Sequence, residues 1–310
     1  MTDKIATRES YGKTLVKLGA EMDNLVVMDA DLSGSTKTNM FAKEFPERFF
    51  NMGIAEQNLY GAAAGLAISG KVVCASTFAM FAAGRAFEII RNSIGYTKAN
   101  VKICATHAGI TVGEDGASHQ TFEDIALMSA IPGMTVINPG DGISAEKLIT
   151  QAIEMTGPAY IRLGRSAVPT AYREDDEIIL GKGNVLREGR DITLVGTGIM
   201  VYEALEAARE LHAAGIEAKV IDIHTVKPID KDLLIKSAME TKAVVTCEEH
   251  SVIGGLGAIV SQVLSASYPV KMAFVGQEDT YGESGKPEEL KAKYGLSKDN
   301  IIKRAVELLK

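Results

Sequence analysis

The sequence predicts an α/β protein of two domains, each built on a mainly parallel sheet. Three observations carry that expectation. The chain has 310 residues, and at roughly 100–200 residues per domain it has room for about two. Short apolar runs alternate with stretches of helical periodicity along the chain, the pattern that covers a parallel sheet with helices on both faces. Over 169–189 this rhythm lapses into a polar stretch containing PTAYREDDE, which has a linker's composition. The expected organisation is a first domain over 1–170, a linker over 171–189 and a second domain over 190–310.

Each element follows from local pattern. Residues 13–22 (KTLVKLGAEM) place apolar side chains at helical spacing, and 24–28 (NLVVM) read as a buried strand closed by the polar turn DADLSGS. Residues 55–68 (AEQNLYGAAAGLAI) read as a helix whose small side chains let another backbone approach closely. A strand at 71–75, a helix at 81–94 and a strand at 101–105 follow, the last entering the glycine-rich loop HAGITVGEDGASHQ. A strand at 134–137, a helix from 144 to 154 with Gly140-Asp141-Gly142 as the turn before it, and a strand at 159–163 complete the first domain. Within the linker, EIIL at 177–180 is the one strand candidate. The second domain reads as strands at 192–195, 218–223 and 244–247, with helices at 202–214, 231–239 and 256–266. A last helix is entered from Ser297 as N-cap.

Composition narrows the class. Hydrophobic residues are 46% and charged residues 24%, the balance of a globular chain. Lys+Arg is 33 against Asp+Glu 40, a net charge of −7 without basic clusters, which argues against nucleic acid and anionic membrane as partners. The longest apolar runs are broken by Gly, Ser or Thr and fall short of the ~18 residues of a membrane span. The opening MTDKIATRES has no apolar core, so no signal peptide is expected. Three cysteines without framework spacing suggest reduced thiols and a cytoplasmic location. No C-x-x-C or H-x-x-x-H spacing offers zinc a site, and Glu248-Glu249-His250 is too compact to specify a metal; no metal ligand is expected.

In open α/β sheets ligands bind beyond the carboxyl ends of the strands. His107 and His119 lie in the loop after the strand at 101–105, with Asp115 between them. A lone loop histidine is usually a surface residue, but two with an aspartate in one glycine-rich loop mark a polar small-molecule site, since imidazoles donate to oxyanions and shuttle protons. Glu56 alone reads as a first-turn glutamate favoured by the helix dipole. Gly254 and Gly255 would suit a phosphate at a helix N-terminus, though close packing is the simpler reading. Spacing and composition lead no further than a two-domain α/β protein with a polar ligand site.

The loop THAGITVGEDGASHQ, with GIAEQN and ADLSGS before it, resembles the pyrimidine-binding domain of transketolase. ITLVGTG, KPID, EEHSVIGGLG and YGLSKDNI resemble the same family's C-terminal domain. The resemblance covers nearly the whole chain; GEDG-x-x-HQ is specific, whereas GIAEQN is shared more widely among thiamine-diphosphate enzymes. It implies that Glu56 is the catalytic glutamate, a carboxyl kept protonated by an apolar setting so that it can hydrogen-bond the aminopyrimidine. Phe78 and Phe81 match the aromatic wall around that ring, and Asp31 a residue beside the cofactor. Arg8, Ser35, His107 and Arg165 match residues gripping the sugar phosphate, for which arginine's planar donors suit a dianion. Asp115 and His119 match residues that orient substrate hydroxyls, His119 also assisting proton transfer. Two departures stand out: Gly84 where many members carry an aromatic, and DTYGESGKPEEL, a variant segment expected away from the active loop.

The resemblance further implies thiamine diphosphate as cofactor, with Mg2+ or another divalent cation held mainly by a partner. The family's further N-terminal domain, which binds the diphosphate, has no counterpart here. The chain thus resembles the C-terminal subunit of a split transketolase, pairing with an N-terminal subunit, by the family's dimeric form as α2β2, and acting on sugar phosphates. The small-residue helix near 61–64 is a candidate contact surface. A 2-oxo-acid dehydrogenase β subunit shares the GIAEQ-like box but would not be expected to carry GEDG-x-x-HQ with Arg8 and Arg165. Deoxyxylulose-phosphate synthase shares the motifs but normally comes as one long chain. A non-catalytic scaffold would be expected to lose Glu56 or the paired histidines.

Overall fold

The computed structural model describes residues 4–310. In chain order its strands are β1 (Lys4–Ile5), β2 (Leu25–Asp29), β3 (Phe49–Asn51), β4 (Val72–Phe78), β5 (Val101–Thr106), β6 (Thr135–Ile137), β7 (Ala159–Arg162), β8 (Val168–Pro169), β9 (Asn184–Arg187), β10 (Ile192–Gly196), β11 (Ala218–Asp222), β12 (Thr225–Lys227), β13 (Ala243–Ser251) and β14 (Lys271–Gln277). They form a seven-stranded sheet in the order β12-β6-β7-β5-β4-β2-β3, a five-stranded sheet in the order β14-β13-β10-β11-β9, and the small pair β1-β8. The two large sheets are parallel except where β12 pairs with β6 and β9 with β11.

Strand alternation sends successive side chains to opposite faces, and here each face finds its own core. Leu25, Val27, Val72 and Cys74 meet the helices Thr7–Glu21 and Gly142–Glu154 through Tyr11, Leu15, Leu148 and Ile149. Val26, Met28, Val73 and Ala75 face the other way, onto Leu59, Tyr60 and Ala63 of the helix Glu56–Ile68. Because both faces are covered, these strands read as unbroken apolar runs rather than as polar–apolar alternation. In the second sheet Leu194, Val220 and Val245 pack on the helices Met200–Ala213 and Lys298–Leu309, while Val195, Ile221 and Val244 pack on Lys231–Thr241 and Leu256–Ser267.

Several elements depart from the sequence reading. The helix expected at 81–94 is a short α turn, Phe87–Ile89, between two π-helical segments, Phe81–Arg85 and Ile90–Gly95. EIIL is not a strand; β9 forms just beyond it, on the edge of the second sheet. Ser297 stands at the N-cap position of Lys298–Leu309 but makes no capping hydrogen bond. Asp141 caps the helix Gly142–Glu154 through a reciprocal box with Ser144, and its other oxygen accepts the N–H groups of Ala171 and Tyr172. Cys74, Cys104 and Cys247 are buried free thiols. No helix among the described residues is long and apolar enough to cross a membrane.

Candidate active site

The side chains singled out from sequence cluster beyond the carboxyl ends of the parallel strands of the first sheet. Phe78 ends β4, His107 follows β5, Arg165 follows β7 and Asp31 follows β2. Arg8 reaches the same edge from the first turn of its helix. Its placement has a local cause: β1 pairs antiparallel with β8, and Thr7 Oγ1 accepts the Gly164 N–H at 2.8 Å. This ties the chain's start to the segment that carries Arg165.

His107 is the centre of the arrangement. It is 3% exposed and takes a left-handed backbone, φ 58°. Its ring stacks on Phe78 with centroids 3.9 Å apart. Arg8 Nη1 donates to His107 Nε2 at 3.2 Å and to the Ser35 carbonyl at 2.8 Å. Since a guanidinium only donates, Nε2 must accept, which leaves the ring proton on Nδ1, donated to Thr106 Oγ1 at 2.9 Å. Burial, with the charges of Arg8, Arg165 and His119, holds His107 far below the usual imidazole range, at about 3. Burial also lowers Arg8, whose Nε is buried and unpartnered among the described residues. Arg165 donates to the Val112 carbonyl and to Glu114 at 3.0 Å.

Glu56 opens its helix and is 2% exposed. The setting is not the apolar one expected. Arg85 Nη1 donates to both carboxyl oxygens, at 2.9 and 2.8 Å. A buried carboxylate left without a partner is costly, and Arg85, one turn beyond Phe81 and half exposed, is long enough to supply one. Its guanidinium also lies 4.8 Å from the Phe81 ring centre. Phe81 stacks on Phe78 at 6.0 Å, and His119 meets both rings edge-on, at 5.5 and 6.3 Å. An unbroken line of contacts therefore runs from Glu56 through Arg85, Phe81, Phe78 and His107 to Arg8.

The other residues sit at the margin. Ser35 takes part through its backbone carbonyl. Asp31 is exposed, with φ 64°, and accepts from Asn51 Nδ2 at 3.1 Å. Asp115 is exposed at the end of the 3-10 segment Ile110–Asp115. Gly84 faces open space except for Met80. Sequence reasoning missed Arg85, for which TFAMFAAGR gave no sign of a partner 29 residues from Glu56. It also missed Asp29, buried and accepting from Leu32 N–H, Thr36 and Thr38; burial raises its carboxyl.

The second domain closes over the glycine-rich loop. Ile110 and Phe122, at its two ends, belong to the core of the second sheet. The variant segment DTYGESGKPEEL was expected elsewhere, yet it lies against this loop. Gln120 Nε2 donates to the Glu283 carbonyl at 2.9 Å. Cβ atoms added at Gly113 and Gly116 would meet Pro287 and Ser284. The loop's glycines are thus where two backbones approach, which an isolated motif does not reveal. Gly254 and Gly255 serve packing: Glu248 accepts the N–H groups of Leu256 and Gly257, filling that helix N-terminus, and a Cβ on Gly255 would lie 2.1 Å from Glu248 Oε2.

Fold and site define a class: a two-domain α/β protein with a carboxyl, an aromatic wall and an arginine–histidine cluster at the carboxyl edge of its first sheet. Residues 3–170 match the model of the transketolase pyrimidine-binding domain, and residues 181–301 that of the transketolase C-terminal domain. A putative transketolase C-terminal section from Methanocaldococcus jannaschii is 52% identical over 306 residues, covering 98% of this chain and 96% of that one. A 6-deoxy-6-sulfo-D-fructose transketolase subunit from Clostridium sp. is 41% identical, covering 97% and 94%. A solved split-gene transketolase, described as an inactive β4 tetramer, superposes with a TM-score of 0.93 at 57% identity, over 98% of each chain. The chain belongs to the transketolase family.

Proposed function

We propose that this chain is the C-terminal subunit of a two-chain transketolase. With a separate N-terminal subunit that binds the diphosphate and its divalent cation, it transfers a two-carbon ketol unit from a ketose phosphate to an aldose phosphate. The observation that carries the reading is the contact line from Glu56 to Arg8, which sets a buried carboxyl and an anion-seeking guanidinium on one surface.

The residues present fit the aminopyrimidine half of thiamine diphosphate. Glu56 is a buried carboxyl linked through Arg85 to two stacked phenyl rings, the two kinds of group that an aromatic ring with a basic nitrogen calls for. When bound, the cofactor supplies the electron sink for the transferred fragment. Glu56 would hold a proton toward the pyrimidine, which requires the half-exposed Arg85 to turn outward from it. Phe78 and Phe81 would flank the ring, and Asp31 would lie at the cofactor's edge.

At the other end, two arginines share a surface with a neutral imidazole, and Arg8 retains an unpartnered buried donor among the described residues. Arg8, Arg165 and His107, with Ser35 beside them, suit a phosphate dianion. Asp115 and His119, on the same loop, would orient hydroxyls, and His119, less buried than His107, would assist proton transfer. The Clostridium relative, itself a transketolase subunit by name, supports an assembly of separate chains, for which α2β2 is the arrangement proposed, in the cytoplasm. Gly61 and Gly65, which leave open space on the helix Glu56–Ile68, suit the contact face.

The test mixes the chain with its candidate N-terminal subunit, thiamine diphosphate and Mg2+, and follows cleavage of xylulose 5-phosphate. Turnover by the mixture, and by neither chain alone, is the expected result. Pyruvate consumption without ketose cleavage would overturn it.

A further inference from the structure

Glu248, Glu249 and His250 end β13 and look in sequence like one acidic cluster. The structure gives them separate tasks. Glu248 caps its own domain's helix Leu256–Ser267. His250 Nε2 accepts the Ala126 N–H at 3.4 Å, and the neighbouring Ser251 N–H donates to the Phe122 carbonyl at 2.9 Å. Glu249 leaves its domain altogether. Its Oε1 accepts the Thr111 N–H at 2.7 Å, within the glycine-rich loop between His107 and His119.

The fit is tight and built from both sides. A Cβ on Gly109 would lie 2.2 Å from Glu249 Cδ, and Gly109 has φ +79°, so only glycine lets the loop receive the carboxylate there. Glu249 is 2% exposed. A carboxylate so deep needs a countercharge, and Arg162 of β7 provides it. Arg162 Nη1 stands 3.9 Å from Glu249 Oε2, and its Nη2 donates to the Glu249 carbonyl at 2.8 Å. Its Nε donates to Asp124 at 2.8 Å, which anchors the guanidinium in the first domain.

We propose that Glu249 is a positioning residue for the reaction, fixing from the second domain the loop that presents His107 and His119 to the substrate. The proposal rests on the site reading above, but its first measurement does not. His107 is also held by Thr106, Phe78 and Arg8, whereas the His119 ring hydrogen-bonds Ser118 alone among the described residues and otherwise meets Phe78 and Phe81 edge-on. Loss of Glu249 therefore loosens the loop between His107 and His119, whose far end keeps the bonds of Gln120 to Ile110, Gly113 and Glu283 and the turn at Gly116, and leaves Phe78, Phe81 and Glu56 in place.

Two variants test this, Glu249→Ala and Glu249→Gln, the second keeping an acceptor for Thr111. In the full chain, amide hydrogen exchange at Thr111 is expected to accelerate about tenfold or more in Glu249→Ala, as suits loss of a charge-assisted bond, with β4 and β5 amides unchanged. In the complex with its N-terminal subunit, the ketose-phosphate KM rises roughly tenfold while thiamine diphosphate affinity stays within about twofold, and Glu249→Gln restores most of both effects. Unchanged Thr111 exchange in a folded Glu249→Ala protein would overturn the proposal. So would a uniform fall in kcat, with KM unmoved, that merely tracks the folded fraction. Absence of ketose cleavage by the wild-type complex would count against the transketolase reading instead, and exchange at Thr111 would still judge the clamp.

Discussion

Acidification should destabilise this chain through His107, by an amount the structure lets one work out. Unfolded, the imidazole takes a proton near 6.5; folded, burial and the facing charges of Arg8, Arg165 and His119 hold it neutral down to about 3. Between those values the unfolded state binds the extra proton, so stability is complete above the unfolded value and drains away as pH falls. For one such group the loss between about pH 7.5 and pH 5 is about 2 kcal/mol. The control is His107→Asn, because asparagine tolerates the left-handed backbone that His107 occupies. His224, pushed down to about 4, and His250, also lowered by burial, act in the same direction, but they are common to both proteins and cancel in the difference. Urea unfolding at the two pH values should show the wild type losing about 2 kcal/mol more than the variant. Equal losses would refute the neutral state assigned to His107, and so would a His107 ring signal that titrates near 6 by NMR.

Other outcomes follow from the same geometry. Glu56→Ala should abolish ketose cleavage by the assembled complex while circular dichroism shows the fold intact; comparable activity would remove Glu56 from the mechanism. Arg8→Ala and Arg165→Ala should each raise KM for a phosphorylated ketose by roughly 10–100-fold, the worth of one charge-assisted contact, and barely change it for the unphosphorylated sugar. Gly109→Ala places a methyl against Glu249 on a backbone that only glycine adopts readily, and should cost about 3 kcal/mol or more by urea unfolding.

The helices and buried strands were legible because each has a one-dimensional cause. Residues 25–28 and 72–75, within the strands read at 24–28 and 71–75, are continuous apolar runs, and both become buried strands between two layers of helix. Gly140-Asp141-Gly142 was legible as the turn before a helix, and the structure adds that Asp141 is that helix's cap. What escaped notice depends on contacts far apart in the chain. The π-helical turns that aim Phe81 and Arg85 have the composition of ordinary helix. β12 is too short to show a period, and exists because β6 offers it an edge. Glu249 looked like part of a local acidic cluster because nothing in the sequence joins it to Thr111, 138 residues away. Glu56 was singled out by its motif, but its ion pair with Arg85 depends on a side chain from another helical turn.

The pairing of β12 with β6 has a consequence for anyone severing the chain near its middle. Thr225 and Lys227 lie on the far side of the cut yet complete the outermost position of the first sheet, and Lys227 Nζ reaches back to the carbonyls of Ser129 and Ile131 at 2.8 and 2.6 Å. A fragment ending before β12 would leave the backbone of β6 bare, with Ile110 and Phe122 stripped of the hydrophobic bed they share with Leu194 and Val220. An uncovered sheet margin of that kind invites self-association. The two halves are therefore expected to behave poorly as separate recombinant pieces and well when co-expressed.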